Sequence, residues 1–439
     1  MTPSAEQRFS LYYALLFAGV GAIAPFAALW MDHAGIEASM IGAIVAAPSI
    51  VMLVTTMAVG RWADRLTDRR QAIIFGNWIV LIVQVVLFAT TNVWVVLCVW
   101  LVSGVVMYAK VPITDASALS LTHRLGSDFA RIRVFGSLGF VLGLTLAGYL
   151  YELLGIHMLV LCMLVMNVLR LLAAYQLPSQ PRARAGSSES SPSETSPPES
   201  SPPETSSLKK SSHKNSFFGR PLFRRSSLVS PSQNSVHDRT TEPVSNPLYQ
   251  PAILLTLLGS ALINASHAMI NTYGILLWTQ EGLSESLASQ AIGVGVVVEV
   301  AMMWWFKSMT RNVSARACLL VAATCGLLRW SLLASEPSIA LIFMAQALHG
   351  ITFGVMFLAS TSFISRRVPD ESAALGQSLL AIITTACMAT ATFGSGQFFD
   401  AWNGSLYWIM ALMCGLSMLC IAGSYRFTLV DTPASQQPL

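Results

Sequence analysis

Charge is scarce in this chain of 439 residues: 11% are Asp, Glu, Lys or Arg, 54% are hydrophobic, and the mean hydropathy is +0.59. Soluble globular domains carry about 25% charged residues, so the composition excludes one. The scarcity is also uneven. Lys and Arg are missing from every second connection between apolar runs, where Asp32, Glu37, Glu152, Glu281, Glu285, Glu336 and Asp400 stand instead. Cysteine pairs are missing too: the seven cysteines stand singly inside apolar runs, which excludes a metal-type spacing or a disulfide framework and reads as packing. There is no phosphate-binding glycine loop, no His/Cys metal spacing and no nucleophile elbow, which argues against an intramembrane enzyme. The first apolar run lacks the short core and small-residue cleavage site of a removable signal, and Pro25 and Trp30 suit a retained helix.

What the chain does have is long apolar runs. A membrane-crossing helix needs about 20 mostly apolar residues, and twelve stretches qualify: 9–31, 38–60, 71–91, 93–119, 130–152, 156–177, 249–279, 286–306, 315–335, 337–364, 372–397 and 404–427. They fall into two blocks of six. The expectation is an all-α membrane protein with an amino-terminal bundle over 1–177, a carboxy-terminal bundle over 249–427 and a tail over 428–439. Basic residues collect in the remaining connections: Arg8; Arg61, Arg65, Arg69 and Arg70; Arg124 and Arg131; Lys307, Arg311 and Arg316; Arg366 and Arg367; Arg426. Cytoplasmic loops carry the Lys/Arg excess, which predicts both termini in the cytoplasm of a multi-pass protein of the cell membrane, a bacterial inner membrane. The net charge of +4 follows from this topology and gives no support for nucleic-acid binding.

Between the blocks, residues 178–248 contain SSESSPSETSPPESSPPETSS and then KKSSHKNSFFGRPLFRRSS. Too few apolar residues stand there to bury a core, and the proline density opposes helix, so a disordered cytoplasmic linker is expected. It reads as a solvated tether; its basic part, with Phe217, Phe218 and Phe223 interleaved, also suits anionic lipid headgroups.

The connection after the second run reads Gly60-Arg61-Trp62-Ala63-Asp64-Arg65-Leu66-Thr67-Asp68-Arg69-Arg70. Glycine permits close helix approach, Asp64 can meet the positive end of a neighbouring helix, and Arg65, Arg69 and Arg70 can bridge acidic groups and helix C-terminal carbonyls. This resembles the G-x-x-x-D-R-x-x-x-R-R gate signature of the major facilitator superfamily. The matching connection after the eighth run, KSMTRNVSAR, lacks the glycine and aspartate, so the second copy is degenerate. The resemblance implies a twelve-span transporter whose substrate site lies between two pseudo-equivalent halves.

Charges inside the runs narrow this further. Asp115 lies within VVLCVWLVSGVVMYAKVPITDASAL, Arg131 and Arg133 open the next run, and Glu299, Arg329 and His349 interrupt later ones. A charge at membrane depth costs about 2.5–3.5 kcal/mol even on lenient insertion scales, so these residues suggest a transport pathway. The strings PITDA, RVFGS, SHA, VEV, LRW and QALHGITF resemble the 3-phenylpropionate permease group and, more distantly, oligosaccharide proton symporters such as lactose permease. That resemblance implies that Asp115 and Arg133 form a binding pair and that Glu299, Arg329 and His349 serve binding and proton coupling. Where the symporters carry further acids this chain has Thr352, Asn264 and His267, which weakens a sugar reading.

Independently of any family, Asn264, His267 and Asn271 stand at i, i+3 and i+7, a spacing that predicts one polar face lining a cavity; interhelical hydrogen bonding is the alternative. His349 and Thr352 share a face in the same way, with a packing role for the histidine as the alternative. Arg131 and Arg133 point in nearly opposite directions, which leaves Arg131 at the cytoplasmic edge. Lys110 reads equally well as structural, snorkelling or ligand-binding. Counting Lys110, Arg133 and Arg329 against Asp115 and Glu299 leaves one positive charge, which a monoanion would balance. Trp304, Trp305, Phe353 and Phe357 are candidates for an aromatic wall. The expected function is uptake of a small aromatic carboxylate with protons, with Arg133 and Arg329 holding the carboxylate or setting the field. Glu299 and Asp115 are then candidate proton acceptors, and His349 and His267 tune or relay. No resident cofactor or metal is implied, and a monomer suffices. The alternatives are a proton symporter for a sugar or nucleoside and a membrane receptor that binds an aromatic acid without moving it.

Overall fold

The computed structural model describes residues 3–65, 68–179, 247–368 and 372–427. Most of the expected linker and the whole expected tail lie outside these residues, as do the side chains of 56–67 and hence those of Gly60, Asp64 and Arg65 in the gate motif. Among the described residues every regular element is helical. The first half holds α1 (Ala5–Ile23), α2 (Ala27–His33), α3 (Ala38–Arg65), α4 (Arg69–Val85), α5 (Val93–Leu125), α6 (Phe129–Leu154) and α7 (Met158–Gln176). The second holds α8 (Pro251–Ala265), α9 (Ala268–Gln280), α10 (Glu285–Met309), α11 (Ala315–Leu333), α12 (Ile339–Ala347), α13 (Met356–Arg367), α14 (Ala373–Trp402) and α15 (Tyr407–Ser424).

The boundaries follow local chemistry. Ser4 and Gln7 form a reciprocal capping box at the start of α1, and Asp68, Asn92, Asp128, Ser284 and Ser314 cap α4, α5, α6, α10 and α11 through their side chains. Gly126, at φ +65°, ends α5 in the left-handed conformation that a side chain would oppose. Among the described residues, eleven stretches are long and apolar enough to cross a membrane, against twelve expected. The difference lies in Ala373–Ser424, whose 52 residues contain two helices, α14 and α15, joined by a turn at Asn403–Leu406. Leu248, expected at the end of the linker, is instead buried against α8 and α13.

Three spans are not single helices. A turn at Ala24–Phe26 containing Pro25 separates α1 from α2, and Ser266 and His267 separate α8 from α9. A π-helical stretch, Gly350–Val355, joins α12 to α13. Such interruptions release backbone groups that a lipid-exposed helix must keep bonded, and they are tolerated at membrane depth only where protein or a water-filled cavity covers them.

Helices α1 and α6 pack backbone to backbone. A Cβ built at Gly139 would lie 2.2 Å from the Ala14 carbonyl, one at Gly143 2.1 Å from that of Ala18, and one at Gly21 2.2 Å from that of Phe140. Close approach of this kind drives association where lipid removes the hydrophobic drive between helices. Gly143→Val must prise α1 from α6. The expected cost is roughly 1–3 kcal/mol, read as a lower melting temperature of the purified protein; an unchanged melting temperature would contradict the packing.

Among the described residues, the close crossings between the halves gather toward one end. α3 crosses α14 through Gly42 and Gly396, where the Tyr273 hydroxyl donates to the Ala38 carbonyl at 2.7 Å. α6 crosses α10 through Gly148 and Ser289, with Gln290 donating to the Tyr149 hydroxyl at 3.2 Å. One hydrophobic core spans both halves at this end, from Phe26, Trp30 and Leu144 to Tyr273, Trp278 and Phe399. Toward the chain termini the halves keep separate cores, Phe9, Tyr12, Tyr13 and Ile132 in the first and Phe306, Leu319 and Ala359 in the second. Among the described residues, the halves share a core at the end remote from the termini and keep separate cores at the other.

Candidate functional site

On the first half, the carboxylate of Asp115 (α5) faces the guanidinium of Arg133 (α6), with 3.8 Å between Oδ1 and Nε. That is an ion pair without a hydrogen bond. The Tyr13 hydroxyl of α1 donates to Asp115 Oδ1 at 2.5 Å and occupies the acceptor instead. Arg133 lies over aromatic faces, its Cζ 4.4 Å from the Phe17 ring and 5.4 Å from the Tyr13 ring. Gly136, one turn on, makes room for it, because a Cβ there would sit 2.8 Å from Arg133 Nη1. Among the described residues no hydrogen bond engages the Arg133 Nη atoms. Asp115 and Arg133 are 37% and 35% exposed. Charged groups so exposed at membrane depth are expected to face an aqueous cleft rather than lipid. Arg131 is exposed at the start of α6.

On the second half the charges are wired together. Glu299 (α10) meets His349 Nε2 at 3.1 Å, and the other ring nitrogen of His349 lies 3.2 Å from Arg329 Nη1 (α11). The same Nη1 donates to Thr352 Oγ1 at 3.0 Å, and Nη2 donates to Gln346 Oε1 at 2.8 Å. His267 Nε2 reaches Thr352 Oγ1 at 3.1 Å. Arg329 is 1% exposed and lies 4.4 Å from the Trp330 ring centre, whereas Glu299 and His349 keep 17% and 16% exposure. Glycines bring α10 against the π-helical stretch: a Cβ at Gly295 would be 3.1 Å from His349 Cβ, and one at Gly350 would be 2.8 Å from the Val298 carbonyl. The π turn belongs here. His349 precedes it and Thr352 lies within it, and both address one guanidinium group.

Several expectations change. The seventh span breaks at Ser266–His267, so Asn264, His267 and Asn271 do not share a continuous helical face: Asn264 is half-buried, His267 fully buried and Asn271 exposed. His267 is packed edge-on to Trp330 and His349 at 5.1 and 5.3 Å. Trp304 and Trp305 are 70% and 55% exposed and stand about 140° and 120° around α10 from Glu299 at about 100° per residue, which removes them from the wall beside it. Phe353 remains there, stacked on His349 at 5.3 Å and on Phe357 at 6.4 Å. Lys110 is 2% exposed and donates to Asn77 Oδ1 at 2.6 Å inside the first half. It therefore leaves the charge count of the cleft. Of the gate motif, the described part holds the end of α7, with Arg70 donating to the Tyr175 carbonyl and Asp68 accepting from Ser179.

The model of the family described as MFS_1 like matches residues 7–412. The chain belongs to that family. It is a major facilitator transporter and a multi-pass membrane protein. This transporter is 22% identical over 418 residues to the "Probable 3-phenylpropionic acid transporter" of Escherichia coli (strain K12), covering 94% of this chain and 96% of that one. The maltose permease of Geobacillus stearothermophilus is 26% identical over 183 residues, 41% of this chain and 46% of that one. Among solved structures, the nucleoside transporter NupG superposes with a TM-score of 0.70 at 14% identity, covering 97% of this chain and all of that one. The D-xylose-proton symporter gives 0.64 at 10% identity over 98% of each. At these identities the structures establish the fold alone.

Tyr13, Phe17 and Gln346 of the transporter went unmarked by its sequence pattern. Gln346 stands three residues before His349, a helical spacing that carried the signal. Tyr13 and Phe17 are aromatics in an apolar run, where they read as core.

Proposed function

We propose that this transporter takes up a small aromatic carboxylate such as 3-phenylpropionate together with protons, by alternating access. The observation that carries the reading is the unlike setting of its two cleft arginines. Arg133 is half-exposed with its Nη atoms free of hydrogen bonds, which suits bidentate capture of a carboxylate. Arg329 is sealed and spends both Nη atoms on His349, Thr352 and Gln346, so it sets the field and holds the relay in place.

With Lys110 out of the cleft, Arg133 and Arg329 balance Asp115 and Glu299. A proton on Glu299 or His349 makes the cleft positive by one, and a monoanion then restores neutrality. Proton and substrate each favour the other's binding, which is the differential affinity that coupling requires. Phe353, stacked on His349, supplies an aromatic face beside the charged groups. Basic loops lie at the divided end, so by the positive-inside rule that end is cytoplasmic and the conformation opens inward in a bacterial inner membrane. The twelve-span layout with both termini inside, and a monomeric working unit, belong to the same reading. The full identity span with the 3-phenylpropionic acid relative supports the substrate class.

Uptake into energised proteoliposomes tests it, with 3-phenylpropionate, cinnamate, a disaccharide and a nucleoside supplied in turn, with and without a protonophore. The expected result is accumulation of the aromatic acids that collapses with the protonophore. A sugar or nucleoside preference would overturn the substrate, and binding without movement would point to a receptor.

A further inference from the structure

Behind the Asp115–Arg133 pair, the first half encloses a second polar cluster that the proposed cycle does not use. Lys110 of α5 lies 2% exposed and Arg170 of α7 5% exposed, with Asn77 and Asn167 at 0% between them. Lys110 Nζ has one acceptor, Asn77 Oδ1 at 2.6 Å; Asn77 donates to the Tyr12 hydroxyl at 3.4 Å, and Asn167 donates to the Asn77 carbonyl at 3.1 Å. Arg170 Nε donates to the Met166 carbonyl at 3.2 Å, and its guanidinium lies on Gly19, where a Cβ would be 3.3 Å from Cζ. Asn167 Oδ1 is buried without any donor.

The groups facing Lys110 are Tyr12 from α1, Asn77 from α4 and Arg170 from α7. On its own helix Asp115 is five residues on and engaged by Tyr13 and Arg133. Among the described residues no carboxylate pairs with Lys110 or Arg170. Two sealed cations with no counter-charge are far more costly than one, and a guanidinium keeps its proton. Lysine is the member of the pair that can shed one.

We infer that Lys110 is a second proton-carrying site of this transporter, inside the amino-terminal bundle: it binds a proton when the bundle opens to water and releases it when sealed as here. As the bundle closes, the N–H bond breaks with its electron pair staying on Nζ, and the proton passes to the last water to leave the site. Asn167 Oδ1 is the spare acceptor for the ammonium form. Pro112, two residues on, lacks the N–H that would bond the Tyr108 carbonyl, so α5 can flex beside the site. Tyr12 and Tyr13 are neighbours on α1, one in this cluster and one on Asp115, which joins the site mechanically to the substrate pair. The inference rests on the proton-coupled reading.

The test uses the full chain labelled with side-chain 15N-lysine in nanodiscs. The chain has five lysines, and the Nζ resonance absent from Lys110→Met identifies this one without any substrate. A neutral-amine chemical shift at neutral pH that converts to the ammonium shift on acidification is expected; an ammonium shift from mildly acid to mildly alkaline pH overturns the inference. In proteoliposomes, Lys110→Met should accumulate 3-phenylpropionate to a limit lower by about tenfold per pH unit of gradient, with Lys110→Gln, a neutral polar side chain, as a second variant. Wild-type accumulation by both variants also overturns it. Failure of the wild-type protein to move 3-phenylpropionate would count against the substrate alone, since the resonance still decides the lysine.

Discussion

Glu299→Gln should lose concentrative uptake while keeping binding and exchange. Glu299 touches His349 at 3.1 Å and keeps 17% exposure, and His349 in turn contacts Arg329, so in the proposed cycle Glu299 exchanges the proton and the imidazole passes its charge state to Arg329. Gln imitates the protonated acid in size and hydrogen bonding. The variant therefore retains the surplus positive charge that favours an anion and binds substrate as the loaded carrier does. On the proposed cycle it cannot lose the proton that the empty carrier must release to reset. Coupling to one proton supports about tenfold accumulation per pH unit; the variant should show none, while counterflow of labelled against unlabelled 3-phenylpropionate continues. Full proton-driven accumulation by Glu299→Gln would remove the acid from the coupling role.

Arg133→Met should abolish measurable binding of the same acid without unfolding the protein. Truncating one partner of a hydrogen-bonded charge contact costs roughly 2–5 kcal/mol, about 30-fold to several thousand-fold in affinity. Arg133→Lys keeps the charge and loses the planar fork, so an intermediate weakening is expected. The protein should still melt near the wild-type temperature, because Arg133 is 35% exposed and, among the described residues, makes no hydrogen bond. Arg329→Met makes the instructive contrast. Removing a fully sealed guanidinium leaves His349, Thr352 and Gln346 without their shared donor, and the loss should appear as a lower melting temperature. Calorimetric binding and thermal unfolding of the three variants separate the roles. Wild-type affinity in Arg133→Met would reassign the carboxylate grip.

Much of the site was legible because charge in a membrane is conspicuous. Asp115, Arg133, Glu299, Arg329 and His349 interrupt apolar runs, and the structure gathers them as two clusters, one on each half. Spacing alone misjudged His267, because periodicity assumes an unbroken helix and the seventh span breaks at that residue. Lys110 was ambiguous for a related reason: its direction around α5 says where its stem leaves the helix, while the buried amides of Asn77 and Asn167 decide where its nitrogen ends. Tyr13 and Phe17 carry no sequence signal, since an aromatic in an apolar run looks the same against lipid, core or ligand.

By itself the sequence determined that this is a helical membrane protein with basic residues gathered in alternate connections and a few costly charges within its apolar runs. Those conclusions rest on transfer free energies, which depend on composition and run length and hardly at all on neighbours. Only the tertiary structure decided that the halves touch at the end remote from the termini, that Arg133 stays open while Arg329 is spent, and that Lys110 is walled in beside Arg170. Those depend on which helices cross at glycines and where spans break, and the contacts responsible join residues a hundred or more positions apart.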